Sequence, residues 1–131
     1  MTNTNLLNIA KNAMKKSYCP YSGFRVGAAL LCEDDIVFTG CNIENGAYSP
    51  SNCAERTAFF KAISEGYTKF EKIAIVGGHN GKIQNFCYPC GVCLQVMNEF
   101  CDSDFLIILI DENNNIIEKK LNCFLPFGFN L

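Results

Sequence analysis

The spacing of apolar positions changes several times along the chain, and each change marks an element. Leu6, Ile9, Ala10, Ala13 and Met14 fall on one face of a helical wheel, so the first sixteen residues predict an amphipathic helix. Asn and Thr residues ahead of them supply its cap. Residues 17–23 (SYCPYSG) are turn chemistry. Residues 24–32 (FRVGAALLC) predict a strand, Glu33, Asp34 and Asp35 a tight connection, and residues 36–41 its antiparallel partner. The stretch NIENGAYSPSN is irregular, with turns marked by Asn45-Gly46 and Ser49-Pro50. Helical spacing returns from about Ser51 to Glu65, with Ala54, Ala58, Phe59, Ala62 and Ile63 facing inward and Gly66 placed to stop it. Residues 72–76 predict a third strand, followed by GGHNGK. A third helix is expected to open near Pro89 and run to about Phe100. Residues 105–110 and 116–121, joined through DENNN, complete a set of five strands.

The order α-β-β-α-β-α-β-β implies a mixed sheet. The crossover from the third strand to the fourth predicts a parallel, right-handed pair. Helices on both faces give a three-layer α/β/α sandwich around a five-stranded mixed sheet, formed by residues 1–131 as one domain. A length of 131 residues suits that reading, since folding at this size buries roughly two thirds of the unfolded chain's surface.

Composition excludes several classes. Hydrophobic residues make up 49% and charged residues 18%, which rules out wholesale disorder. The formal net charge is −2, and no basic run exceeds the pairs Lys15-Lys16 and Lys119-Lys120, which argues against a nucleic-acid partner. The run FLIILI reads as a buried strand, far short of the roughly 18–20 residues a membrane span needs. The opening MTNTNLLNIAKNAMKK is too polar for a signal-peptide core. A cytoplasmic protein is the expectation.

Nine cysteines are the anomaly. An odd count in a chain without a secretory signal points to metal ligation or catalysis rather than a disulfide scaffold. Cys19, Cys32, Cys41, Cys101 and Cys123 stand alone among apolar or turn residues and read as small hydrophobes. Cys53 in CAER, opening the second helix, and Cys90 and Cys93 in PCGVC, opening the third, read differently. A C-x-x-C on a helix start is a frequent zinc half-site, and Cys53 completes it if the two helix starts converge. Helix N-termini favour thiolates, and Arg56 offsets further negative charge. Three protein ligands leave the fourth tetrahedral position for water, as in a catalytic zinc site. Glu55 is placed to accept a proton from that water and return it to a substrate nitrogen. Cys-x-Glu followed by Pro-Cys-x-x-Cys is the zinc-deaminase signature with Cys in place of the first His. A closed four-cysteine structural zinc using Cys87 is the competing reading of the same residues. An iron–sulfur run fails because Met97-Asn98 stands where a fourth Cys-Pro is needed.

With FRVGAALL, GCNIENGAY, CAERTA and PCGVC in order, the chain resembles the cytidine deaminase family in its small, homotetrameric, free-nucleoside form, over about residues 17–129. The resemblance implies one zinc per subunit on Cys53, Cys90 and Cys93, with Glu55 as the proton shuttle. It implies that Asn42 and Glu44 hold the ribose hydroxyls, that Phe24 forms part of the pyrimidine site and that the Ala54 backbone reads the base. Phe129, three residues after Pro126, is implied to reach a neighbouring subunit's pocket, and Tyr48 to bind substrate from the subunit junction, so that the tetramer completes its own sites. The implied reaction is hydrolysis of cytidine and deoxycytidine to uridine and deoxyuridine, in pyrimidine salvage. A related aminohydrolase of the blasticidin deaminase type is the enzymatic alternative; a non-catalytic zinc module is the other. One departure stands out: Leu94 occupies the place of the family's usual Arg, leaving Arg56 as the cation beside the thiolates. His79, the only histidine, reads as a solvent-loop residue rather than a ligand.

Overall fold

The computed structural model describes residues 1–131. Helix α1 is Asn3–Met14, capped by Thr2, whose side chain accepts from the Asn5 N–H. It is shorter at both ends than the sixteen residues expected, and it buries Leu7 together with Leu6, Ala10, Ala13 and Met14 of the predicted stripe, leaving Ile9 half-buried. Strand β1 (Phe24–Cys32) turns through a 3-10 segment at Glu33–Asp35 into β2 (Val37–Cys41). Helix α2 is Ala54–Ser64, β3 is Phe70–His79, α3 is Gly91–Phe100, β4 is Leu106–Ile110 and β5 is Ile116–Lys120. A single helical turn, α4 (Leu121–Phe124), follows and was not expected.

The five strands form one sheet in the order β2-β1-β3-β4-β5. All neighbours are antiparallel except β3 and β4, the parallel pair that the α3 crossover joins. Alternation along each strand sends side chains to opposite faces. Ala29, Leu31, Ala74, Val76, Ile108 and Ile110 pack with Leu6, Leu7, Ala10 and Met14 of α1. Ala28, Leu30, Ile73, Ile75, Ile107 and Leu109 pack on the other side with α2 and α3. Three layers result, as expected.

Two glycines set how closely the helices approach. A β-carbon at Gly27 would overlap the Ala10 carbonyl and stand 2.6 Å from Met14 N, so bare backbone is what lets α1 lie on the sheet. On the opposite face a β-carbon at Gly40 would overlap the Ala54 carbonyl and stand 2.6 Å from Ala58 N. Gly40 therefore fixes the height of the first turn of α2, where the chemistry-bearing residues begin.

Candidate active site

Helix α2 starts at Ala54, three residues later than the spacing suggested, and this makes Cys53 its N-cap. Helix α3 likewise starts at Gly91 and is capped by Cys90, whose sulfur accepts from the Cys93 N–H at 3.5 Å. The irregular stretch between β2 and α2 is closed by paired Ile43 and Asn52 backbone hydrogen bonds at 2.9 Å. Thr57 Oγ1 bridges the Cys41 and Cys53 carbonyls, each at 3.1 Å, and so fastens the first turn of α2 to the end of β2.

The two helix starts converge. Cys53 Sγ lies 3.8 Å from Cys90 Sγ, and Cys90 Sγ lies 3.5 Å from Cys93 Sγ. All three sulfurs fall within 4.8 Å of one another. Tetrahedral zinc with bonds of about 2.3 Å places its sulfurs about 3.8 Å apart, so the donor set fits the metal in number, type and spacing. Arg56 Nη2 donates to Cys53 Sγ at 3.1 Å. The Cys93 thiol and the Arg56 guanidinium together hold the Cys53 thiol down at about 5, against the opposing effect of burial.

Glu55, between these residues in sequence, is only 4% exposed. Burial pushes its carboxyl up to about 7, and the neighbouring Cys53 charge adds to the rise. It lines a cavity of about 330 Å³ with Phe24, Asn42, Glu44, Ala54 and Cys87. With Cys90 also on its wall, residues expected from four separate motifs meet around one space of nucleoside dimensions.

Asn42 does more than face the cavity. Its Oδ1 accepts from Val26 N at 2.9 Å and its Nδ2 donates to Phe24 O at 2.7 Å, extending the β1 ladder with a side chain. An amide retains a second N–H and a second lone pair after those bonds. Glu44 Oε1 accepts from the Tyr21 and Ser22 N–H groups at 3.0 and 3.1 Å, and Oε2 accepts from Ser22 Oγ. These bonds, led by the Ser22 hydroxyl, lower its pKa below the usual carboxylate value.

Tyr48 and Phe129 stand outside the cavity of their own chain, 79% and 66% exposed. The tail is nevertheless fixed: the Phe129 carbonyl accepts from Gln95 Nε2 at 3.3 Å and Asn98 Nδ2 at 2.9 Å, both on α3. Leu94 points inward and is 7% exposed, part of the core beneath the site. His79 is corrected from loop to strand: it is the last residue of β3 and pairs with Phe24.

Cys87 is the residue whose role the spacing left open. It lines the cavity yet stands outside the three-sulfur cluster. Burial first, then the Glu55 and Cys53 charges, push its thiol up to about 12, so it faces the cavity as a neutral group. Its place outside the cluster of Cys53, Cys90 and Cys93 is what speaks against a closed four-cysteine site.

Residues 1–109 match the family model described as the cytidine and deoxycytidylate deaminase zinc-binding region. The chain belongs to this family. Among its relatives is the cytidine deaminase of Sporosarcina psychrophila, 46% identical over 124 residues that cover 95% of this chain and 88% of that protein. The cytidine deaminase of Halalkalibacterium halodurans is 44% identical over 95% of this chain and 91% of its own length. The crystal structure of the Burkholderia pseudomallei cytidine deaminase superposes with a TM-score of 0.88 at 43% identity, covering 98% of this chain and all of that one. That of the Mycobacterium tuberculosis enzyme gives 0.83 at 35% identity, covering 100% and 99%. The family's zinc-binding character agrees with the sulfur geometry above.

Proposed function

We propose that this family member is a zinc-dependent hydrolase that converts cytidine and deoxycytidine, with water, to uridine or deoxyuridine and ammonia. The observation that carries the reading is a buried carboxylate, Glu55, on the wall of a nucleoside-sized cavity beside three clustered sulfurs. Cys53, Cys90 and Cys93 hold the zinc, which when bound supplies Lewis acidity that makes water nucleophilic near neutral pH.

The chain's own groups do the rest. Glu55 takes a proton from the attacking water and delivers it to N3 of the ring as the new C4–O bond forms. It then carries the second proton to the departing amine as the C4–N bond breaks. One water is consumed, one ammonia leaves, and Glu55 ends in its starting state. Shielding by the cavity strengthens each of these transfers, since charge developing away from water interacts more strongly. Phe24 offers an apolar wall to the pyrimidine. The remaining donor and acceptor capacity of Asn42 and Glu44 suits the ribose hydroxyls, and the Ala54 N–H at the helix start suits the base.

The same reading takes residues 1–131 as one catalytic domain of a cytoplasmic homotetramer, with Phe129 entering a neighbour's pocket and Tyr48 at the subunit junction. No helix is long and apolar enough to cross a membrane. Support for assembly comes from a tail whose backbone is anchored while Phe127 and Phe129 stay 95% and 66% exposed.

The decisive experiment follows cytidine ultraviolet absorbance on adding zinc-loaded protein, with the product identified by chromatography. Conversion to uridine that disappears in Glu55→Ala is expected; absence of turnover by folded, zinc-loaded protein overturns the reading. Sedimentation at micromolar concentration tests the assembly, and a monomer with full activity removes Tyr48 and Phe129 from the site.

A further inference from the structure

Phe24 offers its ring to the cavity from the first position of β1, where no earlier strand residue supports it. Its backbone is held at both ends, by its own N–H to Ser22 Oγ at 3.0 Å and by Asn42 Nδ2 to its carbonyl at 2.7 Å. What orients the ring is a separate matter. In the β1–β3 register Phe24 stands directly opposite His79, so the two side chains rise from the same sheet face. Their ring centroids are 5.1 Å apart at an interplanar angle of 88°, an edge-to-face pair. Two residues earlier on β3, Gly77 leaves open the space into which Phe24 leans, since a β-carbon there would be 3.0 Å from Phe24 Cε1.

His79 is itself held in place. Its N–H donates to Gln84 Oε1 at 3.2 Å, its carbonyl accepts from Lys82 N at 3.1 Å, and the next residue, Asn80, donates to Gly23 O at 3.0 Å. The imidazole is therefore presented by a fixed backbone, not by a wandering loop. It takes no part in the cysteine cluster.

We infer that His79 is a positioning residue for the nucleoside pocket, holding the Phe24 ring in the orientation that forms the pocket wall. The inference rests on the pocket being the nucleoside site. It acts on binding and not on proton transfer, because His79 touches the wall and Glu55 carries the protons.

The test compares zinc-loaded wild type, His79→Ala and His79→Phe with cytidine as substrate. Loss of one edge-on aromatic contact predicts a KM about three- to ten-fold higher in His79→Ala, with kcat changed less than about two-fold. His79→Phe keeps a ring at that edge and should restore KM. In the wild type, the single imidazole also gives one Cε1–H proton resonance, which should move on saturation with uridine. An unchanged KM in His79→Ala, or a resonance that ignores uridine, overturns the inference while wild-type turnover upholds the function. A parallel fall in kcat and melting temperature without rescue by Phe makes His79 merely structural and also overturns it. A wild type that neither turns over cytidine nor binds uridine removes both.

Discussion

Arg56 lies one helical turn beyond Cys53 on α2 and returns to it, with Nη2 donating to Cys53 Sγ at 3.1 Å. Its Nε is buried without a hydrogen-bond partner, so the guanidinium is spent on the thiolates and little else. With Leu94 turned into the core, no second cation shares that task along the first turn of α3. Arg56→Gln should weaken zinc retention by about ten- to a hundred-fold, the usual range for a group that steadies metal ligands. Competition against a chelator, followed by metal analysis, measures it; unchanged retention would show that the helix N-termini suffice.

Glu55 and the ligand cysteines should separate cleanly. Glu55→Gln is expected to keep stoichiometric zinc and lose about 10²–10⁴-fold in turnover, the range for removing a positioned acid–base group. Cys53→Ala should lose the metal as well. A Glu55→Gln protein that has also lost its zinc would assign Glu55 to holding the site together.

The same carboxyl leaves a pH signature in the metal-free protein. Folding raises Glu55 from about 4.3 to about 7. A carboxyl raised on folding stabilises the native state fully below its unfolded value, and that contribution is lost as pH climbs through the folded one. Unfolding free energy of Glu55→Gln relative to wild type should therefore rise by up to about 3 kcal/mol between pH 4 and 8. A difference that stays flat across that range refutes the buried, reluctant carboxylate.

Gly27→Ala and Gly40→Ala form a matched pair. Both force backbone against backbone, and overpacking of this kind costs about 1–3 kcal/mol. Only Gly40 sits under the first turn of α2, so only its variant should also lose zinc affinity in the folded fraction. Equal metal binding by the two variants would show that the helix start can shift without disturbing the sulfurs.

Thiol chemistry should follow burial. Cys123 is exposed, whereas burial lifts Cys32 to about 11 and Cys101 to about 12. Alkylation at pH 8 with zinc present, read by mass spectrometry, should label Cys123 well before Cys32 or Cys101. Early labelling of Cys101 would place the end of α3 in frequent local opening.

Periodicity made the layering legible because each strand alternates and each helix repeats as its burial demands. It misplaced the helix starts, since Cys53 and Cys90 are caps and caps carry no apolar period. It ended β3 at Val76, because Gly77 and Gly78 read as a turn when both in fact pair with β1. Spacing made the grouping of Cys53, Cys90 and Cys93 legible, but not its setting. The ties from Glu44 to Ser22 and from Asn42 to β1 join residues about twenty apart that no local pattern links. Charge behaved the same way. Lys11, Lys15, Arg25 and Lys82 share one cleft with Glu112, although no basic run in the sequence exceeds two. Arg25 donates to the Lys15 and Ser17 carbonyls at 3.3 and 2.9 Å, which explains a cation at the negative end of α1.

Cys53 and Cys90 stand 37 positions apart in the chain, and all of α2 and β3 lies between them. A bond through a shared metal ties that stretch into a closed ring. Such a tie is felt most by the disordered chain, whose freedom it curtails; for a covalent crosslink of this span the effect is on the order of 4 kcal/mol. Zinc is then a fastener as well as a reagent, and a chelated protein should melt at a lower temperature with its sheet still intact.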